Sequence, residues 1–193
     1  MSARPLPLFP LNTVLLPGAR LPLRIFEPRY LDLVRDCTRS DSGFGVCLIL
    51  DGQEVGEPTL PAALGCEARI VDFASTDGGL LGITVQGGRR FHVLQTRVRD
   101  NGLIMAEVEW RGVAPTTRIR PEHELMAQLL ARLLDRAGVD CSKPELEDAD
   151  WVGWRLAEWL PLTCVERQAL LVEDDAHQRL QRLLEHLPRF QAA

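Results

Sequence analysis

Glycine-containing pairs divide the first half of the chain into short apolar runs. Asp-Gly-Gly at 77–79, Gly-Gly at 87–88 and Asn-Gly at 101–102 each lie between two such runs. These pairs supply the positive backbone dihedrals that tight connections between antiparallel strands require. Three hairpins within about 45 residues predict a meander. The first half of the chain is therefore constrained to an antiparallel sheet.

Alternating side chains indicate that these strands each have one buried face. Leu81, Ile83 and Val85 alternate with more polar or smaller residues, which is typical of a half-buried strand. A curled, barrel-like sheet hides such faces. The runs predicted as strands are 20–25, 44–50, 68–74, 80–86, 90–98 and 103–110. A helix is predicted from Pro28 until 40–43 ends its pattern, and 52–63 is predicted to be an exposed loop.

From Pro121 onward the apolar period becomes helical. Leucines and Met126 recur at helical spacing until Gly138, a C-cap glycine. The segment 139–147 is a polar connector, and a second helix contains the tryptophans of 151–159 until Pro161 ends it. A capping box at 163–166 then predicts a third helix, and Asp174 or Asp175 opens a fourth.

The predicted fold class is α+β, with a β-rich domain at 1–113 followed by a helical subdomain at 114–193. We expect the helices to pack against the β domain, because isolated helices of this length need tertiary partners. The chain has 193 residues, 46% of them hydrophobic, and a net charge of −5. No apolar run approaches the roughly 18 residues of a membrane helix, and prolines interrupt the N-terminal segment. We therefore expect a cytoplasmic protein without a membrane partner.

Eight segments, distributed over both halves, resemble one known family. They are PLFPLNTVLLPG at 7–18, LPLRIFEPRY at 21–30, FGV at 44–46, GCEARI at 65–70, GITVQGGRRF at 82–91, LPLT at 160–163, RQALL at 167–171 and RL at 179–180. In this order they resemble the N-terminal domain family of Lon-type ATP-dependent proteases, particularly its short stand-alone members. The resemblance implies a PUA-like β pseudo-barrel followed by a C-terminal helical bundle. In full-length Lon proteases this domain helps to capture unfolded or degron-bearing polypeptides.

The sequence predicts no ATPase or peptidase of the Lon type. Lys143 is the only lysine, and its neighbours contain no glycine that could cradle a phosphate. A Ser-Lys peptidase needs a lysine base beside a serine nucleophile, whereas Ser142 and Lys143 lie in a polar connector where turn and cap residues are common. We therefore expect a protein without catalytic residues, cofactor or metal.

Two other function classes stay open at this stage. An enzyme of another kind would need one of the five cysteines beside His92, His123, His177 or His186, or a metal on 173–177, where helix capping is the favoured interpretation. RNA binding would use the arginines that outnumber the acids between residues 89 and 120, since PUA-like folds also occur in RNA-binding proteins. These are Arg89, Arg90, Arg97, Arg99, Arg111, Arg118 and Arg120.

The favoured hypothesis is a groove of the pseudo-barrel that binds polypeptide segments or a partner protein. Its candidate apolar walls lie near the family-like motif, and two arginines would orient the carbonyls or carboxylates of a peptide. These residues are Phe9, Leu11, Phe26, Arg29, Tyr30 and Arg90. Each apolar member is also a candidate core residue. Glu27 is expected to cap the first helix or pair with an arginine.

Overall fold

The computed structural model describes residues 5–52, 54, 60–75, 79–112 and 115–190. The chain forms two compact units, Met1–Gly112 and Val113–Ala193, which we call the β unit and the helical unit. Both mixed sheet and helices are present, as the predicted fold class requires. No helix in the described ranges has the length and apolarity needed to cross a membrane.

Six strands and one helix build the β unit. The strands are β1 Leu6–Leu11, β2 Arg20–Ile25, β3 Phe44–Asp51, β4 Leu60–Ser75, β5 Leu81–Val98 and β6 Ile104–Trp110, and helix α1 spans Pro28–Ser40. The sheet order is β2-β5-β4-β3-β1-β6, and β5 also pairs with β6. Strands β5, β4, β3, β1 and β6 therefore close into a ring, which is the predicted pseudo-barrel, and β2 is added outside it. Among the strand pairs of the described residues, β1 and β3 pair in parallel and the others are antiparallel.

The interior of the ring is a compact apolar core. Phe91 is fully buried there, and the ring of Trp110 meets it edge-on at 5.7 Å between centroids. Other core members come from β1, β3 and β6, so closure of the ring buries one face of each strand. They are Leu6, Leu8, Cys47, Ile104 and Ala106.

One predicted hairpin is wrong. Gly87 and Gly88 lie inside β5, which is a single strand where the sequence predicted two. A Cβ atom on Gly87 would lie 2.0 Å from the Leu16 carbonyl oxygen. Glycine is needed there because another segment of backbone approaches closely, not because the chain reverses.

The hairpin at 101–102 is confirmed. Gly102 has a φ of 82°, its N–H donates to the Arg99 carbonyl, and Arg99 donates in turn to Leu103. β4 and β5 also pair as neighbouring antiparallel strands; residues 76–78 between them lie outside the described residues.

Two further differences concern β1 and the predicted loop at 52–63. The sequence did not predict β1, because Pro7 and Pro10 lower the strand propensity of this segment. Nevertheless β1 pairs with β3 on one side and β6 on the other. Residues 60–63 begin β4 rather than extend the loop, while 53 and 55–59 lie outside the described residues.

The helical unit contains the four predicted helices and an additional short helix, α3 Lys143–Leu146. The predicted helices are α2 Glu124–Ala137, α4 Ala149–Trp159, α5 Cys164–Val172 and α6 Ala176–His186, and 3-10 turns lie at Pro121–His123 and Leu187–Phe190. The predicted caps are confirmed. Gly138 is left-handed after α2, Thr163 and Glu166 form a reciprocal capping box at α5, and Asp175 caps α6.

Candidate functional site

Five of the six predicted polypeptide-binding residues are buried in the β unit. Phe9 stacks on Tyr30 with ring centroids 3.9 Å apart, and Phe44 packs against Phe9 at 6.0 Å. Leu11 is also buried, so these side chains form core. Burial raises the pKa of Tyr30 to about 12, although the Arg29 guanidinium opposes the shift. The motif near the start of α1 therefore organises the fold rather than a surface.

The two predicted orienting arginines are also buried. Arg29 forms an ion pair with Glu27 at 2.9 Å and donates to the Gly102 carbonyl at 3.2 Å. Its guanidinium lies 4.7 Å from the Tyr30 ring centroid. The prediction that Glu27 pairs with an arginine is thus confirmed, and the pair joins the start of α1 to the β5–β6 turn. Arg90 is buried opposite Cys66 in the β4–β5 register.

Phe26 is the predicted residue that the structure leaves exposed, at 51%. It follows β2, which pairs with residues 81–86 of β5; these in turn pair with residues 69–75 of β4. We call these three segments the outer sheet.

Alternate cross-strand rows of the outer sheet are apolar. One row contains Leu23, Ile83 and Phe73 in register. Paired residues project from the same face of a sheet, so this face is apolar from β2 to β4. Ile83 is buried at its centre, whereas Phe73 is 51% exposed at its β4 side. Sequence reasoning missed Phe73, because nothing in 68–74 indicates which β5 residues it faces.

More exposed apolar side chains lie on or beside the outer sheet. Leu80 directly precedes β5 and lies next to the Ile25–Leu81 pair that ends β2, while Val71 lies at a register shift in β4. We call the exposed set the outer apolar surface: Phe26, Val71, Phe73 and Leu80.

One edge of the outer sheet, formed by β2, is unsuited to pairing with another strand. β2 is the edge strand, and Gly87 donates its N–H to the Ala19 carbonyl. By alternation, the backbone groups of Arg20, Pro22 and Arg24 point away from β5. Pro22 lacks an N–H, and charged side chains discourage strand addition at an edge. A ligand is therefore expected on the sides of the sheet rather than along β2.

A cleft of about 660 Å³ on the β unit shares Arg69 with the outer sheet. One side comes from the C-terminal turn of α1 and the segment after it, and the other from β1, β4, β5 and β6. The lining combines arginines with carboxylates and apolar side chains. Its arginines are Arg39, Arg69, Arg97 and Arg99, and its acids are Asp36, Asp41 and Glu67.

The arginines considered for RNA binding do not share one surface role. Arg89 lies over the Trp110 ring at 4.2 Å and within 3.4 Å of the Glu67 carboxylate, so the ring is covered on that face. Arg97 and Arg99 line the cleft. Arg118, in the helical unit, forms an isolated β-bridge with Asp148.

The groups considered for catalysis have structural surroundings. Burial raises the pKa of the Cys47 and Cys66 thiols to about 12, which disfavours the nucleophilic thiolate. Asp175 accepts from the backbone N–H groups of His177 at 2.7 Å and Gln178 at 3.1 Å, as a helix cap does. Within the described ranges, no group of three or more His, Cys, Asp or Glu residues is placed to hold a metal ion.

Two buried polar clusters lie in the helical unit. The Arg179 guanidinium donates hydrogen bonds to the Asp150 carboxylate and to the Glu173 carbonyl, both at 2.7 Å. It also covers the Trp154 ring, with its central carbon 3.5 Å from the ring centroid. The second cluster pairs Nδ1 of His123 with Nδ1 of His177 at 3.2 Å. Trp154 is thus a core residue.

The comparisons with known proteins cover nearly the whole chain. The family described as ATP-dependent protease La (LON) substrate-binding domain matches residues 5–189. Among curated relatives, Lon protease 2 of Myxococcus xanthus is 28% identical over 95% of this chain. Protein cereblon of Xenopus tropicalis is 28% identical over 69% of it. The matches span 23% and 28% of the lengths of these two proteins.

Solved structures share the fold. A Lon N-terminal domain protein from Xanthomonas campestris has a TM-score of 0.83 at 52% identity, covering 96% of this chain and 100% of that one. The N-terminal domain of a Mycobacterium avium complex Lon protease has a TM-score of 0.69 at 19% identity, covering 94% and 97%. The second likeness concerns the fold alone.

Proposed function

The chain belongs to the LON substrate-binding domain family, and from that premise we propose that it binds exposed apolar segments of other polypeptides through its outer apolar surface. The family is the substrate-binding part of the protease and not its catalytic part. The ligands in this proposal are unfolded or degron-bearing polypeptides, or an apolar segment of a partner protein.

The exposure of Phe26 and Phe73 carries the proposal. Each is half-exposed on a sheet whose central residues Ile83 and Val85 are buried. Covering apolar surface stabilises a complex by about 25 cal/mol per Å² before the costs of association are subtracted. Aromatic side chains are also frequent among residues that dominate binding energy. The protected β2 edge argues against strand addition along β2.

We further propose that the chain performs no reaction itself and that captured polypeptides are passed to a separate ATP-dependent protease. Lys143, the lysine that a Ser-Lys peptidase would need, is exposed and lies 4.0 Å from Glu147, four residues further along the chain. Burial also raises the pKa of the Cys47 and Cys66 thiols, which disfavours a nucleophilic thiolate at either residue. The proposal takes the cytoplasm as the compartment, an expectation that rests on composition.

Titration with a fluorescently labelled, permanently unfolded model polypeptide tests this proposal by anisotropy. The double variant Phe26→Ser/Phe73→Ser is expected to weaken binding at least about tenfold, which corresponds to about 1.4 kcal/mol. Leu94→Ser is the matched control, because Leu94 is 62% exposed on β5 outside the outer sheet. Unchanged binding by the double variant would place the ligand elsewhere.

Salt dependence separates this function from RNA binding. Apolar contacts resist added salt, whereas contacts to phosphates weaken steeply with it. Polypeptide affinity is therefore expected to change little between about 50 and about 300 mM salt. Tight RNA binding that collapses over this range, without polypeptide binding, would replace the proposal with the RNA-binding alternative.

A further inference from the structure

We propose that the arginine-lined cleft of the β unit binds a carboxylate group of a polypeptide, either the free C-terminus or an acidic side chain. This site is separate from the outer apolar surface. It rests on the proposed function only in that the ligand is a polypeptide.

The size and lining of the cleft fit a short peptide segment. Its volume of about 660 Å³ lies within the range of sites that bury small ligands. Leu33, Leu103 and Met105 line it and are themselves buried, so they form an apolar base. Polar groups around such a base give orientation and specificity to a bound ligand.

The charges in the cleft are only partly matched by one another. The buried Glu67 carboxylate lies within 3.4 Å of both Arg69 and Arg89, so this acid is already paired with two arginines. In contrast, the guanidinium groups of Arg39, Arg97 and Arg99 make no hydrogen bond or ion pair with the residues that the structure describes.

The unpaired guanidinium groups come from two different elements. Arg39 lies in the last turn of α1. Arg97 lies in β5 opposite Met105, and Arg99 begins the turn that leads to β6. A ligand in the cleft is therefore approached by cations from both sides. Guanidinium groups form strong, often bidentate hydrogen bonds with carboxylates.

The mixed lining favours a peptide carboxylate over a nucleic-acid backbone. Asp36 and Asp41 share the cleft with the unpaired arginines and repel successive phosphates. The Trp110 ring, which could stack on a base, is covered by Arg89 at 4.2 Å and meets Phe91 edge-on. One or two carboxylates beside apolar side chains fit this arrangement better than a polyanion.

The test uses a short acidic peptide without apolar side chains, which probes the cleft without the outer apolar surface. Its free-acid form is compared with a form in which the C-terminus is amidated, and with a form in which each acidic side chain is replaced by its amide. The wild type is expected to bind the free-acid form about tenfold more tightly than the peptide lacking all carboxylates. The two partial forms show whether the terminus or the side chains supply the group.

Arg97→Gln/Arg99→Gln is expected to abolish this preference. Arg24→Gln is the matched control, because Arg24 is exposed on β2 and does not line the cleft, and its substitution removes the same kind of charge. Equal affinity of the wild type for all peptide forms would overturn the proposal. So would a preference that survives the double variant, or a stronger, arginine-dependent affinity for an RNA oligonucleotide.

Failure of the two proposals can be distinguished. Phe26→Ser/Phe73→Ser is expected to leave the carboxylate preference intact, because neither residue lines the cleft. Loss of unfolded-polypeptide binding with retained carboxylate preference would overturn the outer apolar surface alone. The opposite pattern would overturn the cleft alone.

Discussion

The two units differ in what they do with charged and aromatic side chains. In the β unit, Arg97 and Arg99 line a cleft and Phe26 and Phe73 are half-exposed. In the helical unit, Arg179 has no exposed surface and its guanidinium covers Trp154. Because the β unit also buries Arg29 and Arg90, the same residue types are available for ligands at some positions and used for stability at others. Residue type alone therefore does not distinguish a binding group from a core group.

The buried network of the helical unit is stable only when complete. Asp150 accepts from Arg179 at 2.7 Å and from the Trp154 indole N–H at 3.1 Å. Arg179 also donates to the Glu173 carbonyl, so it joins α4 to the segment before α6. Removal of one partner leaves an unpaired charge in a poorly solvated site, which costs more than the intact pair contributes.

The largest expected effect comes from Arg179→Ala. Its removal leaves Asp150 without its cation and the Trp154 ring uncovered, and is expected to lower the free energy of unfolding by about 3–5 kcal/mol. Chemical denaturation followed by circular dichroism measures the change, and hydrogen exchange locates it in the helical unit.

Arg182→Ala is the matched control for that experiment. Arg182 lies on the same helix, is 47% exposed and pairs with Glu173 at 3.0 Å. An exposed ion pair contributes about 0–1 kcal/mol. If both variants were equally stable, the contrast between buried and exposed arginines would be wrong.

A smaller effect is expected from the buried histidine pair. His177→Phe leaves Nδ1 of His123 without its partner at 3.2 Å, and an unsatisfied buried polar group costs about 1–3 kcal/mol. The free energy of unfolding, measured at a pH above the ordinary histidine pKa, checks this value. His186→Gln on the same helix is the control, because His186 is less buried.

The same pair predicts a pH dependence of stability. Burial, and then the nearby Arg120 and His123, lower the pKa of His177 from 6.5, against the opposing charges of Asp175 and Glu122. The unfolded chain therefore binds a proton more readily than the folded one. Stability is complete above about pH 6.5 and falls as the pH drops below it. The free energy of unfolding, measured across this pH range, should depend less on pH in His177→Phe than in the wild type. His186→Gln should keep the wild-type pH dependence.

The smallest stability change is expected at the outer apolar surface. Phe73→Ser removes a side chain that is already half-exposed, and surface substitutions usually change the free energy of unfolding by no more than about 0.5 kcal/mol. Thermal and chemical denaturation measure this. A loss of several kcal/mol would show that Phe73 supports the core and would remove it from the proposed binding surface.

Local signals predicted much of the secondary structure. Asn101-Gly102 predicted a hairpin, and Thr163 with Glu166 predicted the start of α5; both are confirmed. Gly87 was misinterpreted as a turn because glycine also permits close approach of two backbones. The difference depends on Leu16, which is 71 positions away in the sequence and meets Gly87 only in the folded barrel.

The candidate site was harder to predict than the fold. Phe9, Leu11 and Tyr30 belong to the family-like motif, but they are buried. Phe26 comes from the same motif and is exposed. Apolar residues in a motif serve the core and the surface equally well, so their sequence spacing does not separate the two roles.

By itself, the sequence determined most of the strands and helices and their caps, because these depend on backbone sterics and contacts within a few residues; the order of the family-like segments indicated the family. The tertiary structure decided which phenylalanines are exposed, which arginines keep a free guanidinium and how β1 completes the ring. These properties depend on segments brought together from distant positions, such as Arg179 with Asp150, 29 residues apart. Burial and charge pairing depend on which distant segments the folded chain brings together, and no local sequence pattern specifies them.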